Sequence, residues 1–477
     1  MKHQNTDVAI IGAGPAGLAT ALTLAEGNYN GSIQVIDAGR HYTKRFCPVD
    51  RQGNCNGCGG TCNVIAGFGG CIYYGDGVKL SAFPSGRRLI ELLGQERAHD
   101  SMQKAIRLFM GKNDVVFHVP NPAEIPLPVK SYPVLPLNSQ DVRSKIERLY
   151  RLVDQNKQIT LSLNTQAISI EPNTSVIDVL CSTGHNDEQI TFHAKKVVVA
   201  VGRKGFLWWR KELRKLGLIH AAPTFSIGLR FECPREYLVE AGRLHPDYKT
   251  SIYENGMKFK TFCFCAGDGG GRLKFANYGS FTLLDGHIIP EENEGTQAAN
   301  FALLLSLRDE DGNPRSFEWI EKQVLIPYRS LNVNRPGKPV IQWYPDFKNR
   351  TMSCTDMNSF IRTAGFTPSV SDIAFANLAS ILPNSVHAGF CGAFERLFST
   401  FCELSGKASD KRHIAPFTSH VGVVGLELEG LWDKVQVTPL MQSSIQNLYV
   451  VGDCAGVAQG ILQAMTSGVV AASGIMM

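Results

Sequence analysis

The sequence predicts an α/β fold in two parts: a mostly parallel sheet covered by helices, and a second α+β domain on a mostly antiparallel sheet. An apolar, β-branched run at 7–11 leads into a glycine turn and then a helical pattern, as in a parallel sheet buried on both faces. Residues 158–193 alternate like a small antiparallel meander and end in a second apolar strand at 197–201. Residues 225–231 alternate again, which indicates a strand with one polar face.

The first forty residues carry the pattern of a dinucleotide site: strand, glycine turn, helix, strand and acid. Gly12 permits the tight turn, Gly14 lets the backbone approach a pyrophosphate, and Gly17 lets the helix pack on the strand. The helix N-terminus offers N–H groups to phosphates, and Asp37 can accept from a ribose hydroxyl. The pattern therefore predicts a nucleotide cofactor, with these residues in contact: Gly12, Gly14, Pro15, Ala16, Gly17, Asp37 and Ala38.

The end of the chain supplies the rest of this site. A strand at 447–451 ends in Gly452-Asp453, and a helix of small residues follows from about Gly460. The carboxylate can accept from ribitol hydroxyls, and the positive helix end favours an anionic reduced flavin ring. These features predict FAD in a discontinuous Rossmann-type domain with an inserted β-meander. The further predicted contacts are Gly69, Gly70, Gly202, Gly452, Asp453, Gly460 and Ile461.

The predicted domain organisation follows from this return of the chain. We assign 1–110 to the first part of the FAD-binding domain, and 111–205 to a crossing segment, a helix, the meander and an FAD-binding strand. Residues 206–430 form the substrate or cap domain, and 431–477 complete the FAD-binding domain. Within the cap domain we expect a helix over about 296–307 and a hairpin turn at Asp285-Gly286.

The glycine turn, the 201–202 strand end and the Gly452-Asp453 segment together resemble the FAD-dependent oxidoreductases of the glutathione-reductase superfamily. More narrowly, the chain is similar to a bacterial family of uncharacterised FAD-dependent dehydrogenases. That similarity lies in the C-terminal Gly-Asp segment and in four further stretches: a cysteine-rich loop that runs into 67–70, and residues 75–77, 227–230 and 261–265. The resemblance implies the fold and FAD, and it places Asp76 as the polar residue expected beside the isoalloxazine.

The chain has thirteen cysteines, and four of them crowd one glycine-rich loop. Cys47, Cys55, Cys58 and Cys62 can hold a [4Fe–4S] cluster or a zinc ion, can form a redox dithiol, or can be small residues in a tight loop. A cluster here would be an electron inlet from a protein donor. Cys263 and Cys265 lie two apart on one strand, either as buried core thiols or, with Asp76, as candidate catalytic residues.

Composition narrows the class of protein and its partners. The net charge of +5, without a lysine or arginine run, argues against nucleic acid. The absence of a long apolar stretch argues against a membrane span, and the apolar start runs into the glycine turn rather than a cleavage site, so we expect a cytoplasmic protein. No second glycine fingerprint opens a helix. Electrons would therefore come from the substrate, from NAD(P)H bound without a dedicated domain, or from a ferredoxin-type donor.

These observations predict an FAD-dependent oxidoreductase, or dehydrogenase, that moves two electrons as hydride at flavin N5 to or from a small organic substrate. The substrate would lie between the two domains. Two alternatives remain at this stage: an RNA-modifying or RNA-binding flavoprotein, and a redox-sensing flavoprotein without turnover.

Overall fold

The computed structural model describes residues 2–184, 188–279, 281–292, 295–332, 338–407 and 414–477. Its strands, in chain order, are β1 Lys2–Ile11, β2 Ile33–Ile36, β3 Val78–Ser81, β4 Val134–Leu137, β5 Ile159–Ser162, β6 Thr165–Pro172, β7 Ile177–Thr183, β8 Glu188–Val199, β9 His220–Ala221, β10 Ser226–Pro234, β11 Ser251–Glu254, β12 Met257–Cys265, β13 Gly271–Asn277, β14 Thr282–Ile288, β15 Ala298–Ser306, β16 Val340–Trp343, β17 Ala374–Phe375, β18 Gly422–Glu429, β19 Lys434–Val435 and β20 Leu448–Val450.

The helices are α1 Pro15–Glu26, α2 Arg87–Leu93, α3 Gln95–Met110, α4 Ser139–Asp154, α5 Phe206–Lys215, α6 Val239–Leu244, α7 Phe317–Ile320, α8 Ile326–Ser330, α9 Tyr344–Asn349, α10 Met357–Ala364, α11 Asn384–Leu404, α12 Ala415–Thr418 and α13 Ile461–Met476. A π turn at Glu321–Leu325 joins α7 to α8. Among the helices of the described ranges, none combines the length and the apolarity that crossing a bilayer requires.

The first sheet has the strand order β5-β2-β1-β8-β7-β6. The strands β5, β2, β1 and β8 run parallel, and β7 and β6 continue the sheet as an antiparallel meander. The apolar residues Val8 to Ile11 are buried, because α1 packs on β1 and β2 and neighbouring strands pair with β1 on both sides. The β1-α1-β2 unit therefore forms as its sequence pattern predicts.

The last part of the chain returns to this sheet. The N-terminal half of β8 lies between β1 and β7, whereas its C-terminal half lies between β1 and β20. Helix α13 then packs against α1 and α3. The discontinuous Rossmann-type domain with its meander is thus confirmed.

The second sheet has the order β11-β12-β15-β10-β18-β16-β17 and is antiparallel apart from the β16–β17 pair. Aromatic side chains fill the space between this sheet and α11: Phe231 stacks on Phe394 with ring centroids 4.2 Å apart. The β13–β14 hairpin packs against the sheet through β12, β15 and β18. The predicted α+β domain on a mostly antiparallel sheet is therefore also confirmed.

Two local predictions in this domain are wrong. Residues 298–306 form the buried strand β15, not a helix, because β10 and β12 pair with it on both sides. Helix-favouring alanines and leucines are overridden there by ladder hydrogen bonds and burial. Asp285 and Gly286 lie inside β14 rather than in a turn, and the hairpin reverses before Phe281 instead.

Candidate active site

The glycine turn after β1 has the geometry that its sequence predicts. Gly12 has φ +118°, and a Cβ there would lie 2.2 Å from the carbonyl oxygen of Ala200. A Cβ on Gly17 would lie 1.9 Å from the Gly12 carbonyl oxygen, so α1 can pack on β1 only without a side chain at this position. By contrast, Gly14 has only Gly70 Cα within reach, at 3.7 Å, and it faces the cavity described below. The turn is therefore closely packed on the side that faces the sheet and open on the side that faces the cavity, as binding of a pyrophosphate requires.

Asp37 joins this turn to a second glycine loop. Its Oδ2 accepts from Ala13 N at 2.8 Å, and its Oδ1 accepts from Gly67 N at 2.9 Å and Gly39 N at 2.7 Å. The loop comes so close that a Cβ on Gly70 would lie 2.8 Å from Gly14 Cα. Asp37 borders the cavity, so it organises both loops from the position predicted for a ribose contact.

The buried side chain of Arg45 holds the second glycine loop, residues 63–72, in place, a role that the sequence analysis missed. Its side chain is completely buried and donates only to backbone carbonyls in the chain segment 63–72. The Nε–Asn63 O distance is 3.0 Å and the Nη1–Phe68 O distance is 2.6 Å; Nη2 also donates to Gly70 O. Burial lowers the pKa of Arg45, although nearby Asp37 opposes the shift. The conformation of a loop rich in glycine is thus fixed by one guanidinium.

The C-terminal segment completes the predicted cradle. Gly452 has φ +71° and donates its N–H to Ser467 Oγ at 2.8 Å, and a Cβ there would come within 3.0 Å of Ala16 Cβ. Burial raises the pKa of Asp453 to about 6, against the opposing effect of the Arg203 guanidinium. Gly460 N–H donates to Asp453, directly before α13 begins.

One cavity of about 1070 Å³ connects these pieces. Of the residues predicted to bind the cofactor, all but Gly17 and Gly69 line it; both of these pack immediately behind the lining residues. The volume is in the range of cofactor and ligand pockets. The glycine positions that a Cβ would fill and the two carboxylates at the strand ends fit a flavin dinucleotide.

The opposite wall of the cavity belongs to the second sheet and the β13–β14 hairpin, through Thr261, Phe262, Cys263 and residues 285–288. Arg203 connects the two walls: it donates to Asp285 Oδ2 at 2.7 Å and to Glu429 Oε1 at 2.5 Å. Beneath them, fully buried Arg230 pairs with Glu427 through Nε and Oε2, 2.7 Å apart. The floor of the cavity is therefore charged and internally paired.

His287 is a second residue that the sequence analysis missed. It lies on β14, lines the cavity, and its buried Nδ1 has no hydrogen-bond partner among the described residues. Burial, and then the Lys274 cation, lower the pKa of His287 to about 4. The imidazole is therefore neutral at pH 7, and its Nδ1 is a buried ring nitrogen without a partner among the described residues. Alternation along β14 could have signalled a histidine facing inward, but the turn expected at 285–286 hid it.

Basic side chains surround the mouth of the cavity. We call the lining residues Arg88, Lys130, Lys249, Lys260 and Lys434 the basic rim. Burial and the neighbouring cations, which include Lys130, Arg308 and Arg88, lower the pKa of Lys260. Lys249 pairs with Asp247 at 2.8 Å. Within the described ranges, no carboxylate forms an ion pair with the other four.

The structure separates the three catalytic candidates. Asp76 does not line the cavity: it is buried and pairs with Lys274 and with Arg272 at 3.2 Å. Burial opposes ionisation, but these two cations outweigh it and lower the pKa of Asp76. Asp76 therefore belongs to an ion cluster behind the wall. Cys263 lines the cavity, and Cys265 lies directly beneath it.

The four thiols proposed as metal ligands are not brought together as a metal site. Within the described ranges, which include Cys47, Cys55, Cys58 and Cys62, no group of three His, Cys, Asp or Glu side chains could hold a metal ion. Cys47 and Cys62 are buried, and burial raises the pKa of Cys47 to about 12. Cys62 Sγ instead lies 3.8 Å from the carbonyl oxygen of Phe275. A cluster or zinc ion does not fit this arrangement of side chains.

Residues 6–211 match a sequence family described as pyridine nucleotide-disulphide oxidoreductase. The match runs from β1 into α5 and thus covers the glycine turn, the meander and β8. Together with the cradle, it assigns the chain to a class: this is an FAD-dependent oxidoreductase, a flavoenzyme with a Rossmann-type domain. The narrower resemblance to a bacterial dehydrogenase family stays a prediction.

Comparison with curated proteins finds no match. Among solved structures, a geranylgeranyl bacteriochlorophyll reductase-like protein from Thermoplasma acidophilum is 13% identical over 99% of this chain and 78% of its own, with a TM-score of 0.40. Quinol fumarate reductase from E. coli is 10% identical over 100% and 70%, with a TM-score of 0.39. L-Proline dehydrogenase from P. horikoshii is 18% identical over 47% of this chain, which spans 25% of that protein, with a TM-score of 0.20. At these TM-scores the similarity says nothing further about this chain.

Proposed function

We propose that this enzyme moves two electrons between FAD and a small, anionic organic substrate held in the cavity. The observation that carries the proposal is that one cavity has the dinucleotide cradle on one wall and the basic rim at its mouth. Bound FAD would supply hydride chemistry at N5, and the protein supplies binding, orientation and electrostatics.

The basic rim supports the choice of an anionic substrate. Four of its five cations lack carboxylate partners among the described residues, and they lower one another's proton affinity. Placing like charges around a concave surface costs free energy unless an anion binds there. A cleft lined by one sign of charge also raises the local concentration of the opposite ion.

Neutral His287 and the Arg203 ion pairs support the orientation and protonation of that substrate. The Nδ1 of His287 is buried and has no hydrogen-bond partner among the described residues. Arg203 is held between Asp285 and Glu429, so its guanidinium is fixed where the two walls meet. His287 would then bind the substrate or exchange a proton with it, and the Arg203 ion pairs would hold the two walls in place around it.

NAD(P)H is the electron donor that best fits this surface, since it is itself an anion. The alternative is a ferredoxin-type protein donor. A metal centre at the cysteine loop takes no part in the proposal, because the thiols there are not assembled for one.

Binding of inorganic tripolyphosphate to the FAD-loaded protein, measured by calorimetry, tests the rim. We expect salt-dependent binding that Lys260→Glu weakens at least about tenfold, since reversing one charge about 7 Å away costs roughly 1–5 kcal/mol between the water and protein limits. Lys322→Glu is the control, because Lys322 is exposed on the π turn outside the cavity. Equal binding by the Lys260 variant and wild type would overturn the anionic assignment.

Electron transfer is tested separately by anaerobic mixing with NADPH, NADH or dithionite, followed through the flavin absorbance. We expect bleaching with dithionite and faster bleaching with a pyridine nucleotide in wild type than in Lys260→Glu. A bound flavin that no donor reduces would refute the oxidoreductase function and favour the alternative of a redox-sensing flavoprotein without turnover.

A further inference from the structure

The backbone around Cys263 and Cys265 brings two thiols unusually close. Cys263 has φ +43°, and the pairing of β12 with β15 shifts register between Phe262 and Cys265. In a regular strand, residues two apart are separated by about 6–7 Å along the chain. Here the two Sγ atoms are 3.6 Å apart. A non-glycine residue at positive φ costs free energy, so this bulge needs a reason.

Neighbouring residues are arranged to admit this pair. Cys263 Sγ lies 3.1 Å from the Gly286 carbonyl oxygen. A Cβ on Gly286 would lie 2.8 Å from Cys265 Sγ and 2.2 Å from Arg230 Nη1, so a side chain there would block the approach. Cys263 faces the cavity, whereas Cys265 is completely buried beneath it. One sulfur of the pair can therefore meet a ligand and the other can meet only its neighbour.

Two cations favour a shared negative charge on these sulfurs. Lys79 and Arg230 both act on the pair, and Lys79 also lines the cavity. Burial opposes ionisation, but the hydrogen bond from Cys263 and these cations lower the pKa of Cys265, while the pKa of Cys263 is raised. The two sulfurs therefore titrate as one pair, and the nearby cations favour loss of its first proton. Thiolate next to cations is the reactive form of cysteine.

A second pair of neighbouring cysteines lacks the features that favour thiol reactivity at Cys263 and Cys265. Cys233 on β10 and Cys402 on α11 are buried in the core and do not line the cavity. Burial raises the pKa of both, and Cys402 reaches about 12. Their charged neighbours include Glu232, Glu236 and Glu403, which disfavour a thiolate. This pair supplies a matched control within the same chain.

We propose that Cys263 and Cys265 form a reversible redox disulfide that exchanges with small disulfides and thiols entering the cavity. Cys263 thiolate attacks one sulfur of a disulfide RSSR, which forms a mixed disulfide and releases one RS⁻. Cys265 thiolate then attacks the Cys263 sulfur, which closes the internal disulfide and releases the second RS⁻. The two cysteines lose two electrons and RSSR gains them; the protons that the two thiols lose as each one ionises protonate the two released thiolates. The reverse sequence reduces the pair.

This activity uses the same cavity as the proposed function but does not depend on electron transfer to FAD. A negatively charged disulfide such as glutathione disulfide also suits the basic rim. The two sulfurs must approach by about 1.5 Å to reach bonding distance near 2.05 Å. That movement is within reach of side-chain rotation at an already bulged strand.

The test uses FAD-loaded protein equilibrated with glutathione disulfide and glutathione at different ratios. Free thiols are then trapped with N-ethylmaleimide under denaturing conditions and the chain is digested with trypsin. Cleavage after Lys260 and Arg272 yields a peptide with Cys263 and Cys265 and no other cysteine. We expect this peptide to lose both alkylation sites together as the disulfide fraction rises. The Cys233 and Cys402 peptides should stay fully alkylated.

Single substitutions resolve the order of events. Cys265→Ser should accumulate a glutathione adduct on Cys263, because the resolving thiol is absent. Cys263→Ser should show neither an adduct nor a disulfide, because Cys265 is buried. Cys402→Ala, the control, should behave like wild type at the 261–272 peptide.

Wild-type protein in which both thiols remain alkylated at every ratio would overturn the proposal, and so would a stable mixed disulfide that never resolves. The wild-type result decides even if a variant fails to fold. Flavin bleaching by NADPH or dithionite is recorded on the same samples, so that failure of the proposed function is seen apart from failure of the dithiol.

Discussion

Replacement of Arg45 by methionine tests whether one buried cation holds the FAD-binding loop. Met keeps much of the length and apolar volume of the side chain but cannot donate a hydrogen bond. Three carbonyls with close contacts, those of Asn63, Phe68 and Gly70, would lose their charged donor. At about 1–2 kcal/mol for each unsatisfied buried group, the expected loss of unfolding free energy is about 3–6 kcal/mol.

The loss of FAD should accompany the loss of stability. The loop that Arg45 holds includes Gly70, which borders the cavity and touches Gly14. A loop that must be ordered on binding lowers affinity, so we expect FAD to bind at least about tenfold more weakly. Thermal unfolding by circular dichroism and the release of fluorescent FAD measure the two effects, and a drop in melting temperature of about 3–6 °C is expected.

Arg51→Met is the matched control, because Arg51 is exposed and lies six positions along the same segment. It should melt with wild type and retain FAD. The reasoning is refuted if Arg45→Met unfolds within about 1 °C of wild type and keeps its full FAD content.

Three further outcomes can be checked directly. Gly14→Ala should fold like wild type but lose FAD, since its Cβ meets only Gly70 Cα at 3.7 Å and blocks the pyrophosphate. Gly17→Ala, by contrast, should lower the stability of the fold as well as FAD binding, because its Cβ overlaps the Gly12 carbonyl. Equal melting temperatures for the two variants would contradict this. The pKa of His287 is lowered to about 4, so between pH 6.5 and 4 only the unfolded chain gains a proton at this residue. Acid should therefore lower the free energy of unfolding of wild type by up to about 3 kcal/mol relative to His287→Gln. Denaturant unfolding at pH 7.5, 5.5 and 4.5 measures the gap between the two proteins, and a gap independent of pH would count against it. Purified protein should contain about one FAD but fewer than about 0.1 iron or zinc atoms per chain by elemental analysis, and stoichiometric metal would show that the cysteine loop rearranges to bind it.

The parts of the fold that could be predicted are those in which local pattern and tertiary role agree. The glycine turn combines positive φ at Gly12, close packing at Gly17 and buried β-branched strands, all encoded within one stretch. The prediction for β15 was wrong because its alanines and leucines favour a helix in isolation, and only pairing with its two neighbouring strands makes it a strand. Those neighbours, β10 and β12, are distant in the chain and leave no local signal.

The site shows the same division between local and long-range information. Cys263 and Cys265 were candidates because strand spacing places them on one face, but the bulge that joins their sulfurs depends on pairing with β15. Arg45 carries no motif; its function arises from carbonyls up to 27 positions away that the folded loop turns toward it. The basic rim gathers Arg88, Lys130, Lys260 and Lys434 from four separate segments, and no lysine or arginine run announces it.

Because β8 pairs with a strand from the end of the described chain, the first sheet can be completed only late in synthesis. Its C-terminal half, Val197 to Val199, has β1 on one side and β20 on the other, and β20 begins 249 residues later along the chain, at Leu448. Until that segment leaves the ribosome, the growing chain carries an unpaired strand edge and an α1 surface without α13, both of them apolar. Such surfaces attract other strands, so the nascent protein is most vulnerable to aggregation after its second sheet has formed and before β20 and α13 have been synthesised. The pairing of β20 with β8 thus completes the cofactor site and, in the same step, covers the strand edge that would otherwise promote aggregation.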